Sequence, residues 1–72
     1  MTQLSSTQYD ALERAIVDGQ RIAVRRRGTE FLVIPMSIGV RNGKETIEAV
    51  HPTTGERLTL VIEEVEEIEV VR

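Results

Sequence analysis

This chain has no cysteine and no tryptophan, and it has one histidine (His51), one tyrosine (Tyr9) and one phenylalanine (Phe31). Without cysteine, disulfide staples, thiolate zinc sites and thiol chemistry are excluded. A lone histidine leaves no histidine-based metal cluster and no rich acid–base site. The scarcity of aromatics removes the ladder on which successive bases of a single strand would stack. Long apolar runs are missing too. The longest, Phe31 to Met36, falls far short of the ~20 residues that span a bilayer. No basic stretch followed by an apolar one stands at the N-terminus, so no secretory signal is visible and the expected compartment is the cytoplasm. The glycines are isolated, which excludes a glycine-rich phosphate loop.

An excess of positive charge is also lacking. The formal net charge is −3, whereas a dedicated nucleic-acid binder shows a basic face on a basic domain. The distribution is uneven, with net +3 over residues 1–44 and −6 over residues 45–72. Such asymmetry leaves room for a local basic patch, or for self-association by opposite charge into a homo-oligomer.

What is present fits one small globular domain over residues 1–72. Apolar residues make up 40% and charged residues 29%, too apolar a mix for a disordered chain. No repeat, linker or low-complexity tract divides it. The helix comes first. Ser5 and Gln8 fit a capping box, and Leu4 and Tyr9 the hydrophobic staple that goes with it, while Thr7 with Asp10 is an alternative cap further along. Tyr9, Leu12 and Ile16, with Ala11 and Ala15, make an apolar stripe at helical spacing. Gly19 suits a left-handed end, which places the helix near residues 6–18.

Strands follow, over residues 20–72. Residues 20–27 alternate as a half-buried strand, with Gly28 and Thr29 as its turn. Glu30 to Ile34 is apolar on both faces, as befits a central strand or one covered by the helix. Pro35 cannot donate to a ladder, so it should interrupt pairing or mark a bulge before a third stretch from Met36 to Val40. Asn42-Gly43 is a strong hairpin signal, leading into Glu45–Val50. A longer turn at Pro52 to Gly55 precedes a strand around Leu58–Ile62. Glu63-Glu64 is a short break before the last strand around Ile68 and Val70. The expected fold is mainly β: an N-terminal helix, then a five-stranded, strongly bent sheet closing into a small Sm-like or SH3-type barrel, because closure removes exposed edges.

Ala15-Ile16 before Gly19, Arg21-Ile22-Ala23-Val24-Arg25, Ile34-Pro35-Met36, Asn42-Gly43 and the closing Ile62-Glu63-Glu64-Val65-Glu66-Glu67-Ile68-Glu69-Val70 resemble, in that order, the WYL domain. That family is a small Sm-like barrel with a leading helix, associated with nucleotide or nucleic-acid binding and with transcriptional control. Here the Trp-Tyr-Leu position reads Glu45-Thr46-Ile47, and Glu64 replaces the arginine of the closing segment. The resemblance therefore implies the architecture and not a binding pocket. Tyr9-Asp10-Ala11-Leu12-Glu13-Arg14-Ala15 also resembles the helix of the Rof family, small acidic Sm-like proteins that bind and inhibit the terminator Rho. The Gly, Asp and Asn signature of RNA-binding Sm rings is not present.

Two charged clusters stand out. Arg25, Arg26 and Arg27, with Arg41 and Lys44, could hold phosphate, since guanidinium groups bind it bidentately. Strand parity would put Arg25 and Arg27 on the outer face of the first strand. The plainer reading pairs these arginines with the C-terminal glutamates. Glu63, Glu64, Glu66, Glu67 and Glu69 form the acidic run, in which Glu64, Glu67 and Glu69 are the candidate surface for a basic partner. The plainer reading is charge that discourages edge pairing. No calcium-loop spacing is present, so no metal site is expected. Met36, Ile38 and Val40 read as core, with an exposed groove as the alternative, because a chain this small has few apolar side chains to spare. Ser37 has no partner histidine, and His51 beside Pro52 reads as an exposed turn residue.

These features predict a non-catalytic module without a cofactor, which binds a protein and not a membrane. The alternative is nucleotide or nucleic-acid binding through Arg25, Arg27, Arg41 and Lys44.

Overall fold

The computed structural model describes residues 4–71. Helix α1 spans Ser6–Asp18. Both bonds of the capping box form: the Gln8 amide nitrogen donates to the Ser5 hydroxyl, and the Ser5 amide nitrogen to the Gln8 side chain, each over 3.2 Å. Gly19, at φ 68°, closes the helix and donates its N–H to the carbonyl of Ala15. The helix limits are those that the sequence predicts, because each rests on residues within four positions.

Five antiparallel strands follow: β1 (Arg21–Arg26), β2 (Thr29–Arg41), β3 (Lys44–Val50), β4 (Arg57–Val61) and β5 (Val65–Val71). A 3-10 turn at Ile62–Glu64 joins the last two. The β1–β2 turn is Arg27-Gly28, not Gly28-Thr29. Both residues have positive φ, 51° and 77°, as a type I′ hairpin turn requires, and Arg26 pairs with Thr29. Asn42-Gly43 repeats that arrangement between β2 and β3, at φ 51° and 76°.

Strand β2 is continuous through Pro35. Its first half pairs with β1, with Ile22 opposite Val33, and its second half with β3, with Ile38 opposite Ile47. The change of neighbour falls between Val33 and Ile34, and a bulge just beyond it, between Pro35 and Ser37, leaves Met36 as the extra residue. Pro35 itself is fully buried. Pro35 still stands opposite Ala49, beyond the last residue paired with β1 and beside the bulge, so the strand accommodates a missing N–H without ending.

Strand order in the sheet is β4-β3-β2-β1-β5. Among the described residues β4 and β5 do not pair, so the sheet stays open and the expected closure into a barrel is not seen. The 3-10 turn after β4 carries the chain across to the far side of β1, where β5 pairs instead. The edges are managed in other ways. β4 is only five residues long, and β5 presents Glu66, Glu67 and Glu69.

One core holds these elements together. Leu4, Leu12 and Ala15 meet Ile22, Val24, Val33, Ile47, Ala49, Leu60, Ile62, Val65 and Ile68, all buried. The helix lies against β5, β2 and β1. Because residues from both outer strands enter the same cluster, the sheet wraps its apolar face inward, while Arg21 and Arg25 of β1 and Glu66, Glu67 and Glu69 of β5 stay exposed. No described helix is long and apolar enough to cross a membrane.

Candidate functional site

The arginine cluster is built by the β1–β5 pairing. Arg25 stands opposite Glu67, and their charged groups approach to 3.7 Å. A bulge between Arg25 and Arg26 leaves Glu66 unmatched on β5. Its carboxylate accepts a 3.2 Å hydrogen bond from the backbone N–H of Gly28. Arg26 is half-buried, lies 5.1 Å from the centre of the Phe31 ring, and reaches Glu64 at 4.0 Å. Arg27 belongs to the turn and not to a strand face, and its guanidinium donates to Glu64 over 3.3 Å.

The 3-10 turn is the meeting point. Glu64 takes Arg26 and Arg27 from the β1–β2 hairpin, while neighbouring Glu63 lies 3.8 Å from Lys44 at the start of β3. Arg41 is engaged separately, 3.6 Å from Glu48, whose other oxygen accepts from the Thr59 hydroxyl at 3.1 Å. The structure therefore brings Arg25, Arg27 and Lys44 to one acidic segment and leaves Arg41 on another network. Glu64 and Glu67 lie within that segment. Glu69 is exposed further along β5, opposite Ala23.

These ion pairs lie at the surface, where each contributes about 0–1 kcal/mol and is screened by salt. Their main effect is on the local field. Three arginines face Glu64, Glu66 and Glu67 at this end of the sheet, so the positive charge counted from sequence is locally offset. A phosphate arriving here would compete with carboxylates already in place.

Apolar surface lies elsewhere. Ile38 packs against the core, but Met36 and Val40 are 58% and 68% exposed. The bulge turns Met36 outward, and Val40 stands near the end of β2 opposite the exposed Glu45. Leu32 is also exposed, because the helix covers the opposite face of β2. The sequence signal for Leu32 was the double-sided apolar pattern of Glu30 to Ile34. Which face the helix would cover was not written there. Val17 on the outer side of α1 had no such signal.

An open groove of about 420 Å3 runs between α1 and the end of β5, lined by Asp10, Arg14, Asp18, Gln20 and Val70 among others. Its charges are of both signs. His51 is exposed in the β3–β4 turn, and Ser37 is exposed on β2. Among the described residues no group of three or more histidine, aspartate or glutamate side chains gathers as metal ligands would. Among the described residues Tyr9 is a titrating group moved by its surroundings. Partial burial, the hydrogen bond to Glu45 and the charge of Glu45 all raise its phenol above the usual value.

No family model matches this sequence, and no curated protein matches it. The fold does have a counterpart among solved structures. Proteasome accessory factor B/C (PafBC) of Arthrobacter aurescens, which contains a WYL domain, superposes with a TM-score of 0.74 at 19% identity. The match covers 97% of this chain and 12% of that one. At that identity the likeness is one of fold, and a WYL-like fold is what it supports.

Proposed function

We propose that this chain is a non-catalytic regulatory module that acts by binding a protein, in a setting of transcriptional control. One observation carries the reading. Arg25, Arg26, Arg27, Arg41 and Lys44, the residues best suited to phosphate, each lie within 4.0 Å of a glutamate. Charge that is matched within the chain gives little pull on a polyanion, since non-specific nucleic-acid binding is almost wholly electrostatic. The exposed apolar side chains Leu32, Met36 and Val40 suit a protein surface better. The carboxylates lie along an exposed segment, a poor setting for acid–base catalysis, which favours a pocket that shifts their protonation. The fold counterpart, in which this fold occupies a small part of a longer chain, fits a module that works within a larger regulatory assembly.

The test is an amide-shift titration with short single-stranded RNA and DNA at low salt, repeated at high salt. The expected result is no movement at Arg25–Arg27, Arg41 or Lys44. Shifts that cluster there at low salt and vanish at high salt would overturn the reading in favour of nucleic-acid binding. Affinity capture then identifies the protein partner, and loss of capture in Met36→Lys or Leu32→Lys maps its surface.

A further inference from the structure

His51 is the only histidine of the chain, and its side chain is built into the turn between β3 and β4. Pro52 follows it and has no N–H to offer. The next two backbone N–H groups, of Thr53 and Thr54, both donate to Nδ1 of His51, over 3.2 and 3.3 Å. The rest of the turn uses backbone and hydroxyl groups. The Gly55 N–H donates to the His51 carbonyl at 2.9 Å, with Gly55 at φ 74°, and the Glu56 N–H to the Thr54 hydroxyl at 3.2 Å. The His51 N–H donates to the Glu56 carbonyl at 2.8 Å and closes the base of the turn.

Nδ1 can accept only while it carries no proton. The neutral ring must then hold its hydrogen on Nε2. An imidazolium has an N–H on both nitrogens, so Nδ1 would point a donor at two donors. Histidine in general changes charge between about pH 5 and 8. We propose that the β3–β4 turn is a proton-responsive element: neutral His51 holds the tip at Pro52–Thr54, and protonated His51 releases it. The base of the turn is indifferent to that proton, since the bond from His51 to Glu56 joins backbone to backbone. Acidification therefore opens the tip and leaves the pairing of Val50 with Arg57 in place.

The charged groups around the ring are few. Glu56 lies in the turn itself, Arg57 opens β4, and Glu48 is the nearest charge on β3, tied to Arg41 and Thr59. Among the described residues no carboxylate comes within salt-bridge distance of the imidazole to hold the turn once the ring is charged.

The experiment follows ring and amide nitrogens by NMR from pH 8 to pH 5 in the intact chain. At pH 8 the His51 resonances should report a bare Nδ1 and a protonated Nε2. On acidification the Thr53 and Thr54 amides should lose their exchange protection and shift together with the ring, while Val50 and Arg57 keep theirs. His51→Asn supplies a side-chain oxygen that caps without titrating, and should hold the protection of Thr53 and Thr54 down to pH 5. Glu56→Gln should leave the transition unchanged. The proposal is overturned by an Nδ1-protonated ring at pH 8, or by protection that survives after the ring has titrated. It is equally overturned by the same loss in His51→Asn, or by disappearance of the transition in Glu56→Gln.

Discussion

The phenol of Tyr9, in the second turn of α1, donates a 2.9 Å hydrogen bond to the carboxylate of Glu45, thirty-six residues away at the start of β3. This bond ties the helix to the far hairpin. The same side chain packs against the buried core, so it serves both an apolar and a polar contact.

Removing that hydroxyl should weaken the docking of α1 without disturbing the helix. Tyr9→Phe is expected to lower stability by about 0.5–1 kcal/mol, the low end for a hydrogen bond because this one is partly exposed. The pH dependence has a definite sign. The folded chain holds the phenol proton more tightly than the unfolded chain does, chiefly through burial and then through Glu45. The contribution is therefore complete below pH ~10 and fades as pH rises through the raised folded value. Thermal melts between pH 8 and 11.5 should show the stability difference between wild type and Tyr9→Phe shrinking at the alkaline end. A difference that grows there would refute the role of the hydrogen bond.

Freeing the arginines should create what the wild type is proposed to lack. Glu64→Gln with Glu67→Gln removes the carboxylates that face Arg25, Arg26 and Arg27. Stability should change by no more than about 1–2 kcal/mol, the sum of weak surface pairs. Oligonucleotide binding should appear at low salt and disappear at high salt. Fluorescence anisotropy with a labelled single strand measures this, and a double variant that still ignores the strand would show that glutamate pairing is not what keeps nucleic acid away.

The core has little to spare. Leu12 is fully buried on the inner side of α1. Leu12→Ala should cost about 2–5 kcal/mol through lost burial and a residual cavity. A domain of this size has on the order of 4–10 kcal/mol in all, so the variant should be largely unfolded near 37 °C or melt far below the wild type. Circular dichroism on heating decides the point.

Two glycines should respond in opposite directions to the same change. Gly43 sits at φ 76° with open space around it, so Gly43→Ala meets only backbone strain and should cost about 1–2 kcal/mol. Gly39 lies inside β2 without a positive φ, and an added methyl would meet only the Thr46 hydroxyl at 3.7 Å. Gly39→Ala should be neutral or stabilise by about 0.5 kcal/mol, since glycine weakens a strand interior. Denaturant midpoints of the two variants should fall on either side of the wild type, or Gly39→Ala should match it.

The two hairpin turns show where local reading ends. Asn42-Gly43 is legible because asparagine and glycine both tolerate positive φ. Arg27-Gly28 has the same geometry, but arginine gives no local sign of it. The pairing of Arg26 with Thr29, set by the apolar register of Ile22 with Val33, places Arg27 in the turn. The candidate site divides in the same way. Charge of both signs can be counted from the residues. That Arg27 meets Glu64, thirty-seven positions on, depends on which edge of the sheet β5 joins.

Sequence alone determined the helix and its two ends, the Asn42-Gly43 hairpin, the order of strands after the helix, and the lack of cysteine chemistry. Each of these follows from residue types or from interactions spanning a few positions. Tertiary structure decided that β2 runs on through Pro35, that β5 pairs with β1 while the sheet stays open beside β4, and that the arginines meet carboxylates. It also decided that Met36 and Leu32 face outward. Those outcomes depend on burying one shared apolar core from distant segments, and no local stretch of the chain contains that information.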